Sequence, residues 1–283
     1  MNAITESISP KIIPISSFVN EHVAMSLLAK KDQFPAAYPF PHLVFDGLFS
    51  ETLLTEVHKE FEGLGKQSWK EIENPLQLTL RSNPNSKFGP ATQTYFDILS
   101  SAWFVTFLSE LTSIRGIVFD PIMKGGGMHE SRAGGKFGLH LDFSKHPVTK
   151  LDNRLVLITY LNKAWKEEYG GLLELWDVAQ SKCAATVLPV FGRTILFAHT
   201  DKSLHGHPNG LNPPPGTTRR SVAAYYYSNG RDDDAAAASY DSHFAPQQAP
   251  SRLKTAVRSV VPPILYSLAG SLKKKISHKA SAK

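Results

Sequence analysis

The stretch that decides the fold is Gly138-Leu139-His140-Leu141-Asp142-Phe143, in which two metal-binding side chains stand two residues apart. Side chains alternate between the two faces of a β-strand, so His140 and Asp142 are predicted to point the same way. The three apolar residues of the stretch would point the other way, into packing. An imidazole and a carboxylate suit Fe(II) or another mid-series divalent ion, whereas Ca²⁺ needs more oxygen ligands.

The sequence around this stretch predicts a mainly β fold with supporting helices. Residues 51–64 have helical spacing after an N-cap at Ser50, and residues 92–115 resemble a pair of amphipathic helices. Short β-rich runs separated by Gly, Pro and Asn follow: 116–120, 136–143, 154–162, 171–177, 182–189, 193–199 and 219–228. Helices followed by about seven closely spaced strands indicate a β-sandwich or barrel rather than a βαβ fold.

A third metal ligand has to come from another part of the chain. The candidates downstream are His146, His199, His205, His207 and His243. His205 stands shortly after the strand predicted at 193–199, and the choice among the five stays open at this point. Two histidines and one carboxylate leave three octahedral positions open, as in non-haem iron oxygenases.

A fixed cation follows fourteen residues after His205. Arg219 and Ser221 share one face of the strand predicted at 219–228, while Arg220 points away. A guanidinium binds a carboxylate through two parallel hydrogen bonds, and a neighbouring hydroxyl adds another. The pair therefore predicts a site for a carboxylate near the metal.

Composition and charge limit the broad class of the protein. The 283 residues are 42% hydrophobic, contain one cysteine and have no run of about 18 apolar residues. A disulfide framework and a secretory signal are not expected, and a cytoplasmic protein is predicted. The net charge of +6 comes from residues 252–283, which hold eight of the 31 Lys/Arg and no acid, so 23 basic residues face 25 acidic ones elsewhere. No nucleic-acid partner is expected.

The chain is predicted to have four parts: an N-terminal lead-in (1–38), one catalytic domain (39–230), a polar linker (231–251) and a basic amphipathic C-terminal tail (252–283). Two interpretations of the tail stay open. It is either a docking helix with a solvated basic end, or a peripheral contact with an anionic membrane or a protein partner.

From about Phe40 to Ser228 the sequence resembles the prolyl 4-hydroxylase-like group of 2-oxoglutarate/Fe(II) dioxygenases. The resemblance lies in the order and spacing of a few pieces: His140-Leu-Asp142, Tyr160-Leu-Asn162, Gly170-Gly171-Leu-Leu-Glu-Leu-Trp176, His205-Gly206 and Arg219-Arg-Ser221. It implies a double-stranded β-helix (jelly roll), with helices on one side of the larger sheet. It also implies Fe(II) on His140, Asp142 and His205, with 2-oxoglutarate as cosubstrate and ascorbate as a candidate further cofactor.

The resemblance also implies roles for single residues. Arg219 and Ser221 would bind the far carboxylate of 2-oxoglutarate, and Tyr160 matches the place where relatives put a phenol against it. Many relatives carry a tyrosine ahead of the triad; here His129 and Arg132 are the nearest polar candidates for a substrate or cosubstrate contact. Halogenating relatives lack the carboxylate ligand, so Asp142 favours hydroxylation.

The expected function is hydroxylation of an unactivated C–H bond, with release of succinate and CO₂. The substrate stays open among peptidyl proline, amino acids, sugars and secondary metabolites. Two alternatives remain: an enzyme with the same triad that does not use 2-oxoglutarate, and a non-catalytic jelly-roll module that has kept the metal-site residues.

Overall fold

A computed structural model of the chain describes residues 14–231 and 239–245. The start of the predicted lead-in, most of the predicted linker and the whole predicted tail lie outside the described residues. Within the described part, the helices are α1 (Glu21–Leu28), α2 (Gln33–Ala36), α3 (Glu51–Gly63), α4 (Pro90–Ser100) and α5 (Ala102–Thr112), with 3₁₀ turns at Ile15–Ser17, Lys66–Ser68 and Glu167–Tyr169.

Strands make up most of the remaining structure. They are β1 (His42–Phe45), β2 (Trp69–Asn74), β3 (Gln77–Ser82), β4 (Val118–Phe119), β5 (Gly127–Ser131), β6 (Lys136–Leu141), β7 (Asp152–Tyr160), β8 (Leu173–Asp177), β9 (Lys182–Val187), β10 (Thr194–Ala198), β11 (His205–His207), β12 (Arg219–Ser228) and β13 (His243–Phe244). All seven predicted strands are present, and α3, α4 and α5 confirm the predicted helices.

The strands form an antiparallel sheet that is nearly closed into a barrel, which confirms the predicted jelly-roll core. One half has the order β1-β10-β7-β12-β5, and the other half has the order β6-β11-β8-β9. Strand β3 pairs with both β5 and β6, and β2 pairs with β3 in a hairpin. The β2–β3 hairpin therefore links the two halves of the barrel.

Strands β7 and β12 are buried on both faces, and each face packs against a different part of the molecule. Leu155 and Leu157 in β7, and Val222 and Ala224 in β12, pack with the helices in the main hydrophobic core. The residues that alternate with them point into the barrel, where a second hydrophobic cluster lies. The helices thus hold one face of the sheet and leave the other face to form a cavity.

The N-terminal helices belong to the same core as the sheet. Phe34 of α2 and Leu27 of α1 are buried in it, although both lie within the predicted lead-in. At the other end, β13 lies within the predicted linker and pairs with β6. None of the helices between residues 14 and 231 is long and apolar enough to cross a bilayer.

Glu60 of α3 holds the first turn of α4, and this contact between the two helices can be tested by substitution. Its carboxylate oxygens accept hydrogen bonds from the backbone N–H groups of Ala91 and Thr92, both at 2.8 Å, in the first turn of α4. Those groups have no partner inside the helix, and a negative charge there also favours the helix dipole. We expect Glu60→Ala to lower the free energy of unfolding by about 1–2 kcal/mol in urea denaturation.

The matched control is Glu56→Ala on the same helix. Glu56 is half exposed and pairs only with Lys59, so its loss should change the free energy of unfolding by less than about 0.5 kcal/mol. Equal effects of the two substitutions would show that Glu60 does not hold α4 in place.

Candidate metal centre and cosubstrate pocket

Strand β6 and the residue directly after it carry two of the predicted ligands into the interior of the barrel. His140 and Asp142 are 2% and 5% exposed, far below what an unpaired histidine and carboxylate usually show. The ring of Phe137 stacks on the His140 imidazole at 3.9 Å between centroids. The imidazole is therefore fixed on one side by an aromatic ring and faces the cavity with its other side.

Strand β11 brings the third residue opposite the first. His205 pairs with His140 in the antiparallel register of β11 and β6. Gly206 allows this close approach, because a Cβ at that position would lie 2.7 Å from the carbonyl oxygens of Phe137 and Gly138. Any larger residue would push β11 away from β6 and separate the two imidazoles.

Backbone carbonyls orient both imidazoles. His140 Nδ1 lies 2.8 Å from the Gly138 carbonyl oxygen, and His205 Nδ1 lies 2.8 Å from the Ser203 carbonyl oxygen. Each Nδ1 must carry the proton to donate to a carbonyl, so each Nε2 keeps a lone pair. Burial lowers the pKa of His205 to about 4, so this imidazole is neutral at pH 7.

The three side chains form a group with the geometry of a metal site. One ligand atom from each of His140, Asp142 and His205 lies within 4.8 Å of the others. Asp142 Oδ2 is buried without a hydrogen-bond partner and lies 3.7 Å from His205 Nε2.

These observations fit a divalent transition metal. A buried carboxylate oxygen with no partner is unfavourable unless a cation binds it. Two imidazole nitrogens with free lone pairs and one carboxylate oxygen are a ligand set that suits Fe(II) and leaves positions open for further ligands. The three predicted ligands are thus brought together in the structure, and they could hold such an ion.

Arg219 and Ser221 lie on the cavity face of β12, as predicted from the sequence. Arg219 is buried, its Nε donates to the Gly171 carbonyl oxygen at 2.9 Å, and no carboxylate of the described residues lies within ion-pair distance. Gly171 has φ +71°, and a Cβ there would lie 2.9 Å from Arg219 Cδ. A buried guanidinium without an acidic partner is unusual, and it marks this end of the cavity as an anion site.

Tyr160 lies beside Arg219 in the same cavity. The guanidinium carbon is 5.0 Å from the centre of the Tyr160 ring, and Ser221 is the direct neighbour of Tyr160 across β12 and β7. The Tyr160 hydroxyl is buried beside this guanidinium and has no other hydrogen-bond partner among the described residues. Burial raises its pKa, so the phenol keeps its proton and can donate to an anion. Arg220 points away and pairs with Glu130 and Glu62, as its place in the strand predicted.

The structure places the two remaining candidate contact residues, His129 and Arg132, in different positions. His129 lines the cavity next to Ser221, and its Nε2 lies 3.0 Å from the Gly125 carbonyl oxygen. Arg132 has a 68% exposed side chain, pairs with Glu130 and lies on the opposite face of the sheet. His129 is therefore placed for a ligand contact, whereas Arg132 is not brought to this cavity.

The other histidines are excluded from the triad by their own contacts. His146 lies against Asp120 at 3.7 Å, and His243 is exposed in β13. His199 Nε2 lies 2.9 Å from the Asp142 carbonyl oxygen and so supports the ligand strand. His207, also a candidate from the sequence, lines the cavity and is buried with an unpartnered Nδ1, but it is not one of the three residues whose ligand atoms lie together.

Tyr225 is a functional candidate that the sequence analysis did not single out. Its hydroxyl donates to Asp142 Oδ1 at 3.1 Å, while Asp142 Oδ2 is free. Oδ1 also lies 3.5 Å from His140 Nε2, so this hydrogen bond holds the carboxylate between the two imidazoles. A signal was present in the sequence, since Tyr225 stands at even spacing from Arg219 and Ser221 on one strand.

We expect Tyr225→Phe to weaken metal binding about tenfold, because loss of a hydrogen bond to a ligand commonly reduces metal affinity 10–100-fold. Calorimetric titration of the metal-free full-length chain with Mn(II) measures the effect. The matched control is Tyr227→Phe, which removes a buried hydroxyl without a partner and should leave metal affinity unchanged. Unchanged affinity in Tyr225→Phe would remove Tyr225 from the site.

Comparisons with known proteins agree with this geometry. Residues 126–227 match the family model of the 2OG-Fe(II) oxygenase superfamily, a span that contains every residue of the metal and anion sites described above. A search of curated protein sequences finds no match.

Solved structures share the fold at low sequence identity. A Pseudomonas putida prolyl-4-hydroxylase matches with a TM-score of 0.54 and 16% identity over 72% of this chain and 100% of its own. A Phytophthora capsici prolyl 4-hydroxylase matches with a TM-score of 0.53 and 17% identity, over 79% of this chain and 69% of its own. A Trichoplax adhaerens prolyl hydroxylase matches with a TM-score of 0.52 and 14% identity, over 74% of this chain and 90% of its own. Residues 126–227, which hold the His-Asp-His triad, thus match the 2OG-Fe(II) oxygenase superfamily, and the solved structures share the fold of the described chain.

Proposed function

We propose that the chain hydroxylates an unactivated C–H bond of its substrate and uses 2-oxoglutarate as cosubstrate. The observation that carries this proposal is the cavity itself. The three metal-binding side chains and the buried guanidinium of Arg219, which has no acidic partner among the described residues, line the same space of about 60 Å³. A metal and an anion site in one cavity are what a chelating cosubstrate with a second carboxylate requires.

The chain's own residues would hold both components. His140, Asp142 and His205 would bind Fe(II) through two imidazole nitrogens and the Asp142 carboxylate. Arg219 would pair with the far carboxylate of 2-oxoglutarate, and the hydroxyls of Ser221 and Tyr160 would donate hydrogen bonds to it. When bound, Fe(II) and 2-oxoglutarate supply the O₂-dependent oxidation of a C–H bond, with succinate and CO₂ as the other products.

The surroundings of the site exclude water and competing reactions. Apolar side chains of the cavity wall, among them Val156, Ile158 and Leu173, surround the polar residues. Electrostatic interactions are stronger in such a poorly hydrated space, which favours binding of a doubly charged cosubstrate. The hydrogen bond from Tyr225 to Asp142 Oδ1 holds the carboxylate in place beside the two imidazoles.

Hydroxylation is favoured over the other chemistries considered for this site. Asp142 provides the carboxylate ligand whose absence would make room for a halide. An enzyme that uses the triad without 2-oxoglutarate would have no use for the unpaired Arg219. A non-catalytic module would bind metal and 2-oxoglutarate without forming succinate, and activity measurements distinguish that case.

The substrate remains within the classes expected from the sequence. One solved relative was determined with a peptide fragment of hypoxia inducible factor, and the relatives named above are prolyl hydroxylases. A peptidyl proline is therefore one candidate beside amino acids, sugars and secondary metabolites. Ascorbate as a cofactor, a cytoplasmic location and a membrane or protein contact of the tail stay predictions.

The test of this proposal compares two neighbouring arginines. The loss of a charge-assisted bidentate contact weakens binding by about 1.5–3 kcal/mol, or roughly 10–100-fold. We expect Arg219→Gln to weaken 2-oxoglutarate binding to the Fe(II)-loaded chain by that factor, measured anaerobically by the visible charge-transfer absorption of the complex. Arg220→Gln removes the same charge from the opposite face and should leave cosubstrate affinity unchanged.

Metal titration of both variants shows whether the site still folds. Equal cosubstrate affinity of Arg219→Gln and the unchanged chain would contradict the proposed anion site. The reaction is tested separately by incubating the chain with Fe(II), 2-oxoglutarate and O₂ across peptides, amino acids and glycosides. A compound that stimulates succinate release and gains one oxygen atom supports the proposal, whereas cosubstrate binding without succinate formation would identify a binding module.

A further inference from the structure

Five polar side chains form a continuous row across five neighbouring strands, which we call the polar row. From the hairpin inward they are Lys70, Arg81, His129, Ser221 and Tyr160. Each is the direct cross-strand partner of the next, through β2, β3, β5, β12 and β7. Residues directly opposite one another in antiparallel strands lie on the same face, so all five side chains share one face of the sheet.

This shared face is the one that lines the cavity. Tyr160, Ser221 and His129 are all cavity residues, and so is Thr79, two positions before Arg81 in β3. Arg81 lies directly opposite His129 at the cavity wall, and burial and then the positive charge of Arg81 lower the pKa of His129 to about 4. Arg81 and Lys70 therefore continue the wall outward from the cosubstrate site.

The outer part of the polar row has two positive charges and no negative one. Arg81 is half-buried and Lys70 exposed, and neither makes an ion pair or side-chain hydrogen bond with the described residues. Like charges directly opposite in a sheet are destabilising. The acidic residues of the hairpin, Glu71 and Glu73, are at alternate positions of β2 and so lie on the opposite face.

We propose that Arg81, assisted by Lys70, binds an anionic group, a carboxylate or a phosphate, of the substrate. This inference rests on the proposed function, because Arg219 then takes the far carboxylate of 2-oxoglutarate and Arg81 is left for a second anion. A guanidinium binds either oxyanion through two hydrogen bonds, and an ammonium adds a point charge.

The position of Arg81 also orients the substrate. Strand β3 lies two strands from β12, a separation of roughly 10 Å at the usual spacing. The anionic group would thus bind at the outer end of the cavity, and the carbon that is oxidised would lie further in. Neutral and cationic molecules would leave the two positive charges uncompensated, so the site selects for anionic substrates.

The first experiment uses simple anions as probes. Inorganic phosphate and acetate are titrated into the full-length chain loaded with Mn(II) and saturated with 2-oxoglutarate, so that Arg219 is already occupied. We expect at least one of the two anions to bind, and which one binds distinguishes a phosphate-bearing from a carboxylate-bearing substrate. Arg81→Gln should weaken that binding at least about tenfold and leave metal and 2-oxoglutarate affinity unchanged.

The matched control is Lys136→Gln. Lys136 pairs with Leu78, on the face of β3 away from the cavity, and its replacement removes one positive charge from the same sheet. Anion binding should be the same in this variant as in the unchanged chain. If neither anion binds the unchanged chain, or if Arg81→Gln and Lys136→Gln bind it equally, the inference is wrong.

The second experiment uses matched pairs of compounds in the succinate assay: amino acids against their amides, sugar phosphates against the free sugars, and acidic peptides against their amide forms. The charged member of a pair should stimulate turnover, and Arg81→Gln should raise its KM at least about tenfold. A neutral member that works as well as its charged partner would overturn the inference but leave the proposed function standing. Loss of 2-oxoglutarate binding in the unchanged chain would overturn the proposed function itself.

Discussion

The pairing of β11 with β6 is the constraint on which the rest of the site depends. It places His205 directly opposite His140, and a shift of one residue would turn His205 to the other face of its strand. Both rings are already held through their Nδ1 atoms by backbone carbonyls, and Tyr225 holds the carboxylate of Asp142. The ligand atoms are therefore oriented before a metal arrives, and little ordering has to accompany binding.

The same alternation that builds the metal site also separates it from the main core. In β12, Val222 and Ala224 pack against the helices, while Arg219 and Ser221 face the cavity. One strand thus contributes both to stability and to anion binding, because its two faces have different neighbours. No described helix contributes a residue to the cavity wall, but the packing of Val222 and Ala224 against the helices keeps Arg219 on the cavity face.

Local periodicity explains which parts of this arrangement were predictable. The same-face pairs and the outward direction of Arg220 follow from a period of two, and the structure confirms them. The β2–β3 hairpin was not predicted, because most residues of β2 are exposed and the strand lacks the alternation of apolar and polar residues that indicates a half-buried strand. The contact of Tyr225 with Asp142 joins residues 83 positions apart, and only the closed barrel brings them together. The exclusion of Arg132 likewise depends on the turn between β5 and β6.

The hairpin connects the two halves of the barrel and therefore connects the two halves of the site. Strand β3 pairs with β5, which neighbours the strand of Arg219, and with β6, which carries His140. The distance between the anion site and the metal site thus depends on how β3 holds both strands. Lys70 and Arg81 face each other across the hairpin, and an anion bound between them would offset their like charges. An anionic substrate would then stabilise the β2–β3 hairpin, which sets the distance between Arg219 and the metal ligands. Substrate binding and the correct spacing of the site would therefore favour each other.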